Sequence, residues 1–325
     1  MNKGIIPELK NQLERARRIL LVSHIRPDGD AIGSLVGCGL ALQTAEKEVQ
    51  MVVADGIPNA LRFLPGTDQV INRPTGEFDL IWVLDCSDLN RTGGVLDGRL
   101  PPDINIDHHV TNLHFARMNL VDLEAVATAE IIARLLPELG IPILEASAQA
   151  LLTGILTDTL GFRTSNMTPQ VLRLAADLVE KGGNLPELYQ LSLLNRSFEA
   201  ARYWGCGLSQ LQREGRMIWT ILTLADRRAV RYPGNDDADL INILSSIQDT
   251  DIAMIFVEQP GGKIKVSWRA HHGLDVSGLA TQFAGGGHAA AAGAEIGGKL
   301  EDILKEVLVA TRKLIEEKHN TVEIY

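Results

Sequence analysis

Histidine and aspartate gather in four short stretches in the first half of the chain. The first holds His24, Asp28 and Asp30 around Pro27 and Gly29, the second Asp85, the third Asp107, His108 and His109, and the fourth Asp158. Imidazole nitrogens and carboxylate oxygens without thiolates suit manganese, magnesium or iron better than a structural zinc. Asp28 and Asp30, two residues apart in a turn, could each face a different ion. Two ions about 3.5–4 Å apart clamp a phosphoryl group and activate a shared water for in-line attack. Without cations, this many acids in one cleft would repel one another and raise their pKa values.

Taken singly, the stretches are weak. A lone Asp at a strand end, such as Asp85, is more often a turn former or helix cap, and Asp-His-His in a loop is usually solvated. His-x-x-x-Asp-x-Asp after a buried strand is more specific, and all four stretches in order make coincidence a poor explanation.

The elements that must position these side chains are legible as alternating patterns. Arg18 to His24 reads as a buried strand, followed by a helical pattern from Ala31 to Ala45; Val49 to Ala54, Leu80 to Leu84 and Ile104 to Ile106 read as further strands. The period becomes helical from Val126 to Leu139, Ala146 to Leu156 and Pro169 to Glu180. Alternating strands and helices imply an α/β fold, a mainly parallel sheet with helices on both faces. In such a sheet the C-terminal strand ends form the ligand-binding edge, and three of the stretches stand at strand ends while Asp158 closes a helix.

Gly182 and Gly183 mark a helix stop. Beyond a helical segment from Leu185 to Gln212, strands are expected at 217–224, 252–257 and 263–268 and helices at 240–248, 276–283 and 300–317. The expected organisation is therefore a metal-binding domain over 1–183, a helical linker over 184–212 and a smaller α/β domain over 213–325. A length of 325 residues fits two cores of ordinary size.

Composition excludes several classes. The net charge of −10 argues against a basic surface tracking long duplex nucleic acid, yet permits a small anionic substrate. Cys38, Cys86 and Cys206 are odd in number and widely spaced, against a disulfide framework or a cysteine-ligated zinc. Apolar runs are too short to span a bilayer, and the charged N-terminus lacks a signal-peptide core. A cytoplasmic protein without membrane association is expected.

In the second half, Gly285, Gly286 and Gly287 would let backbone N–H groups approach a phosphate or base, with His288 as a further donor. Arg269 suits bidentate phosphate contact or base stacking. A glycine run is otherwise a flexible turn, and an exposed strand arginine is commonly only solvated.

With these motifs the chain resembles the DHH phosphoesterase family, named for a triplet that here is Asp107-His108-His109. It is most similar to the DHH–DHHA1 branch and its NrnA-type bifunctional oligoribonucleases, which also dephosphorylate 3′-phosphoadenosine 5′-phosphate (pAp). The likeness covers nearly the whole chain, including Gly285 to Gly293 and the strand Val266-Ser267-Trp268-Arg269. It implies two divalent ions, most simply Mn²⁺. His24, Asp28 and Asp85 would hold one, and Asp30, Asp85, His108 and Asp158 the other. It further implies that Asp107 orients His108, that His109 faces the scissile phosphate, and that Arg269 with Gly285–His288 binds the substrate. The implied partners are short RNA oligonucleotides or nucleotide phosphates, measured for length between two domains that close on them. A homodimer through the helices of the first domain is also consistent.

Departures occur at Leu160, where the family often has glycine, and at Ala270, where it often has serine; both bear on substrate contacts, not on metal ligands. The alternative activity is a cyclic-di-AMP or linear dinucleotide phosphodiesterase. A family-II pyrophosphatase would carry a different second domain, and a RecJ-like exonuclease would need a longer, more basic channel. A non-catalytic nucleotide sensor is the remaining class, against which stands the complete ligand set.

Overall fold

A computed structural model describes residues 4–99, 101–271 and 273–322. Backbone contacts divide the chain between Asn195 and Arg196 into two units, each with its own apolar core. No helix among the described residues is long and apolar enough to cross a membrane.

The first unit runs α1 (Ile6–Arg15), β1 (Arg18–Val22), α2 (Gly29–Thr44), β2 (Glu48–Val52), β3 (Val70–Ile71), β4 (Leu80–Leu84), β5 (Ile104–Asp107), β6 (Met118–Val121), α3 (Thr128–Glu138), α4 (Glu145–Asp158), α5 (Pro169–Glu180) and α6 (Leu185–Tyr189). Its six strands pair in parallel in the order β3-β2-β1-β4-β5-β6. The order reverses between β1 and β4. At such a switch point the connections from neighbouring strands leave in opposite directions and open a crevice beyond their carboxyl ends. His24 follows β1 and Asp85 follows β4, so the crevice is where the first two acidic stretches meet.

Helix α2 explains how a helix can reach that crevice from within the core. Residues 29–39 along it are buried without a break, and apart from Asp30 and Ser34 they are apolar or glycine on all sides, as a helix surrounded by protein requires. It packs on α4 at unusually short range. A Cβ on Gly33 would lie 2.5 Å from the Ala150 carbonyl oxygen, and one on Gly154 2.9 Å from Asp30 Oδ1. Only glycine permits that approach, which sets the start of α2 against the end of α4.

The stretch 184–212, expected as one helical linker, is divided. Leu188 packs into the first core together with Leu185 and Leu193. A π turn over Gln190–Leu194 and extended Asn195 interrupt the helix, and α7 (Phe198–Ser209) packs Ala200 and Tyr203 into the second unit.

The second unit continues with β7 (Gln212–Glu214), β8 (Met217–Leu222), α8 (Leu224–Val230), α9 (Leu240–Leu244), β9 (Ile252–Gln259), β10 (Lys263–Ala270), α10 (Ser277–Gln282), β11 (Gly286–His288), β12 (Ala291–Gly297) and α11 (Leu300–Val322). Its sheet has the order β11-β12-β10-β9-β8-β7, antiparallel except for the β8–β9 pair. The strand expected through residue 224 stops at Leu222. Thr223 there starts α8 through a capping box with Asp226, which satisfies the helix's first N–H groups more fully than another strand pairing would.

Candidate metal centre

His24, buried against the sheet, donates Nδ1–H to the Ile25 carbonyl at 2.8 Å. A carbonyl can only accept, so the neutral ring carries its lone pair on Nε2, the tautomer a ligating histidine needs. Without a cation, burial opposes protonation, but the Asp85 hydrogen bond and the Asp85 and Asp28 charges outweigh it and raise the ring's pKa. That Nε2 lies 3.5 Å from Asp85 Oδ2 and 4.0 Å from Asp28 Oδ1. Asp28 caps α2 by accepting from Ala31 N at 3.0 Å. Asp85 leaves β4 with φ of 54°, a left-handed conformation that aspartate tolerates better than most side chains, and ends the strand there.

Asp30 is held from the opposite side. The N-cap of α3 is Ala127, which has no side-chain acceptor. Asp30 takes its place from 98 residues upstream, accepting from Thr128 N at 2.6 Å and Ala129 N at 2.9 Å. Thr128 Oγ donates in turn to Asp85 Oδ1 at 3.0 Å. Thus one helix start fixes two carboxylates, and its partial positive charge offsets part of their repulsion. His108 completes the group: its Nε2 lies 3.8 Å from Asp30 Oδ2, 3.9 Å from Asp85 Oδ1 and 3.5 Å from Asp158 Oδ2. Its Nδ1 faces the Ala125 carbonyl at 3.3 Å.

Two sets of ligand atoms therefore converge, His24–Asp28–Asp85 and Asp30–Asp85–His108, each within 4.8 Å, with Asp85 in both. The electrostatics fit cations. Burial, then Asp85, Asp158 and Asp28, push the Asp30 carboxyl well above its ordinary range; burial, then Asp28 and Asp85, do the same to Asp158. Burial opposes ionisation of Asp85 too, but the hydrogen bond from His24 and the charges of His109, His24 and His108 hold it low. Among the described residues no Lys or Arg pairs with these carboxylates. Crowded acids, with imidazoles as their only ion partners there, are a donor set that divalent cations would neutralise.

The third stretch is arranged differently from the sequence expectation. Asp107 was expected to orient His108; its carboxylate instead accepts from the ring of His109, Nδ1 to Oδ1 at 2.7 Å. Its hydrogen bond to His108 goes to the backbone N–H, at 2.9 Å. Successive residues leaving a strand point to opposite sides, so the ring beside Asp107 on its own side is that of His109, two residues on. Burial lowers the His109 pKa, but the Asp107 hydrogen bond and the Asp85 charge outweigh it and bring it to about 9. Sequence reasoning missed Thr128, Asn105 and Asn112. Thr128 was detectable only as the start of an uncapped helix, and the two asparagines carried no signal beyond lying near the triplet.

In the second unit, the pairing of Arg269 with Ala291 and of His288 with the same Ala291 aligns them across three strands. Directly opposed residues share a sheet face, so Arg269 and His288 share one. Arg269 is braced, donating Nε–H to Asn242 Oδ1 at 3.2 Å and Nη1–H to the Trp268 carbonyl at 3.0 Å. Burial lowers its pKa against the opposing charges of Asp237 and Asp239. The glycines have a reason within the fold. A Cβ on Gly285 would overlap the Gly293 carbonyl, and one on Gly287 would lie 2.5 Å from the Ala291 oxygen, whereas Gly286 has open space. Close pairing with β12 thus requires two of the three.

Residues 18–155 match the DHH family, N-terminal domain, and residues 232–313 the DHHA1 domain. The chain is 36% identical to the bifunctional oligoribonuclease and PAP phosphatase NrnA of Thermus thermophilus, over 91% of this chain and 89% of that protein. It is 28% identical to the protein of the same name from Bacillus subtilis, over 86% and 89%. An exopolyphosphatase-related protein from Bacteroides fragilis superimposes with a TM-score of 0.88 at 27% identity, over 99% of this chain and 98% of that one.

Proposed function

The chain belongs to the DHH family, with a DHHA1 domain after its catalytic-type domain, and from that membership we propose that it is a metal-dependent phosphoesterase. It hydrolyses short oligoribonucleotides to mononucleotides and pAp to AMP and phosphate. The observation that carries this reading is the convergence of His24, Asp28, Asp30, His108 and Asp158 on Asp85 at the switch point of one parallel sheet.

His24, Asp28 and Asp85 would hold one ion and Asp30, Asp85, His108 and Asp158 the other, with Mn²⁺ the proposed metal. Bound there, divalent cations supply Lewis-acid charge to a phosphoryl group and a nucleophilic water at neutral pH. Thr128 and the first N–H groups of α3 keep Asp30 and Asp85 in place while the site exchanges substrate for product. His109, anchored at Nδ1 by Asp107, offers Nε2–H to a non-bridging phosphate oxygen, where negative charge grows during displacement. Arg269, with Nε and one Nη1–H engaged inside its own unit, has Nη2 for a second phosphate or a base. His288, on the same sheet face, adds a donor. A cytoplasmic location and short single strands, not long duplexes, as partners belong to the same reading.

The test is product analysis of the purified protein with Mn²⁺, given labelled RNA dinucleotide, pAp, cyclic-di-AMP and pyrophosphate in parallel, each with an EDTA control. EDTA-sensitive release of mononucleotide from the dinucleotide, and of phosphate from pAp, is expected. Turnover of cyclic-di-AMP or pyrophosphate alone would keep the metal site and overturn the substrate; no turnover at all would overturn the enzyme.

A further inference from the structure

The chain leaves β5 through His108 and His109 and turns back at once. Asn112 N donates to the His109 carbonyl at 3.2 Å, and Leu113 N to the Ser87 carbonyl at 2.9 Å. Within this turn Asn112 makes a hydrogen-bonded bridge. Its Nδ2 donates to Asp107 Oδ2 at 2.6 Å and to Asn105 Oδ1 at 2.7 Å, while its Oδ1 accepts from His114 N at 2.8 Å. A carboxylate can only accept and a backbone N–H can only donate, so the amide orientation is fixed by its partners. Asn105, fully buried, is anchored by Nδ2 on the carbonyls of Val83 at 3.2 Å and Cys86 at 3.0 Å.

A continuous line of side-chain hydrogen bonds thus runs from the end of β4 through Asn105, Asn112 and Asp107 to the ring of His109. Asp107 is itself fully buried, and each of its oxygens is engaged, one by Asn112 and the other by His109 and the His108 backbone. A buried carboxylate held at both oxygens cannot rotate about its last bond, and the imidazole on it inherits that fixity. We infer that Asn112, braced by Asn105, is a positioning residue: by locking Asp107 it holds the His109 ring so that Nε2 meets the scissile phosphate. The inference rests on the reading of His109 as a phosphate contact. It assigns Asn112 no part in holding metal.

A double-mutant cycle tests it. Asn112→Ala, His109→Ala and the double variant are assayed for kcat and KM on the RNA dinucleotide with saturating Mn²⁺. Mn²⁺ affinity is measured by calorimetry and the fold by thermal melting. Asn112→Ala is expected to lower kcat roughly 10–100-fold, the scale of losing a partner behind a site residue, with KM and Mn²⁺ affinity unchanged. In the His109→Ala background it should cause no further loss. Asn112→Asp keeps the side-chain shape but turns an acceptor toward Asp107, and should reproduce the kcat loss even where the alanine variant melts early. Losses that multiply in the double variant, or wild-type kcat in both Asn112 variants, would overturn the positioning role while leaving His109 in place. Full turnover by His109→Ala alone would overturn the reading of His109, and the positioning role with it.

Discussion

Asp30 closes the start of α3 and also stands among the candidate ligands, and the two tasks are physically compatible. The N–H groups of Thr128 and Ala129 occupy its oxygens in the protein interior but do not cancel the neighbouring Asp85, Asp158 and Asp28 charges. Removing one member of that crowd should relieve repulsion in the metal-free protein. Asp158→Asn, which leaves the α3 cap intact and removes a carboxylate raised by burial, Asp28 and Asp85, is therefore expected to melt higher than the parent without metal at pH 7 and to lose most of the rise in Tm that Mn²⁺ gives the parent by binding only the folded state. Asp85 is different because it belongs to both ligand sets. Asp85→Ala should abolish turnover, beyond the roughly 10–100-fold that changes behind a ligand cost, with circular dichroism unchanged; near-parental rates would sink the metal assignment. Thr128→Val, which removes only the hydroxyl on Asp85, should fall inside that 10–100-fold window, and Thr128→Ser should restore the rate.

At the level of elements, the site depends on how closely two helices approach. The Gly33–Gly154 contact sets α2 against α4, and Asp30 and Asp158 ride on those two helices. Gly33→Ala places a methyl against the Ala150 carbonyl. It should cost about 1–3 kcal/mol of stability, the usual scale of overpacking, read by urea unfolding, and should lower turnover by moving the two carboxylates apart. The β11–β12 hairpin offers an internal control. Gly285→Ala should destabilise the protein because its Cβ has no room, whereas Gly286→Ala, with nothing within 4 Å, should leave the melting temperature unchanged. Any change in KM for Gly286→Ala then reports substrate approach and not folding.

For the molecule as a whole, the six proposed metal ligands all lie before Asn195, and Arg269 and Gly285–His288, the proposed substrate contacts besides His109, all lie after it. That division separates two measurable quantities. Arg269→Lys keeps the charge but loses the planar fork. It should raise KM for the dinucleotide by roughly tenfold or more, the scale of one hydrogen bond to a charged group, while leaving the Mn²⁺-induced rise in Tm as in the parent. A fall in that rise would show that the arginine serves the first unit's fold or metal, against the division.

The sequence by itself determined the residue types and their order along the chain. The stretches holding His24, Asp28, Asp30, Asp85, Asp107, His108, His109 and Asp158 stood out because they fall where period-2 or period-3.6 patterns begin or stop, and those patterns come from local burial; which of these residues would hold metal came from the resemblance to the DHH family. The alternation of strand and helix likewise implied the parallel sheet. Tertiary structure alone decided which side chain meets which. Strand order, and with it the crevice between β1 and β4, follows from packing choices that leave no local trace. The cap that Asp30 gives α3 joins residues 98 apart, and nothing in the sequence around Ala127 announces it. The same holds for the third stretch: three consecutive residues named the motif, but only the folded turn through Asn112 put Asp107 on His109 and left His108 to the carboxylates. Short-range pattern carries propensity and burial; hydrogen bonds between distant segments exist only once the chain has closed on itself, and those bonds orient the groups proposed to do the chemistry.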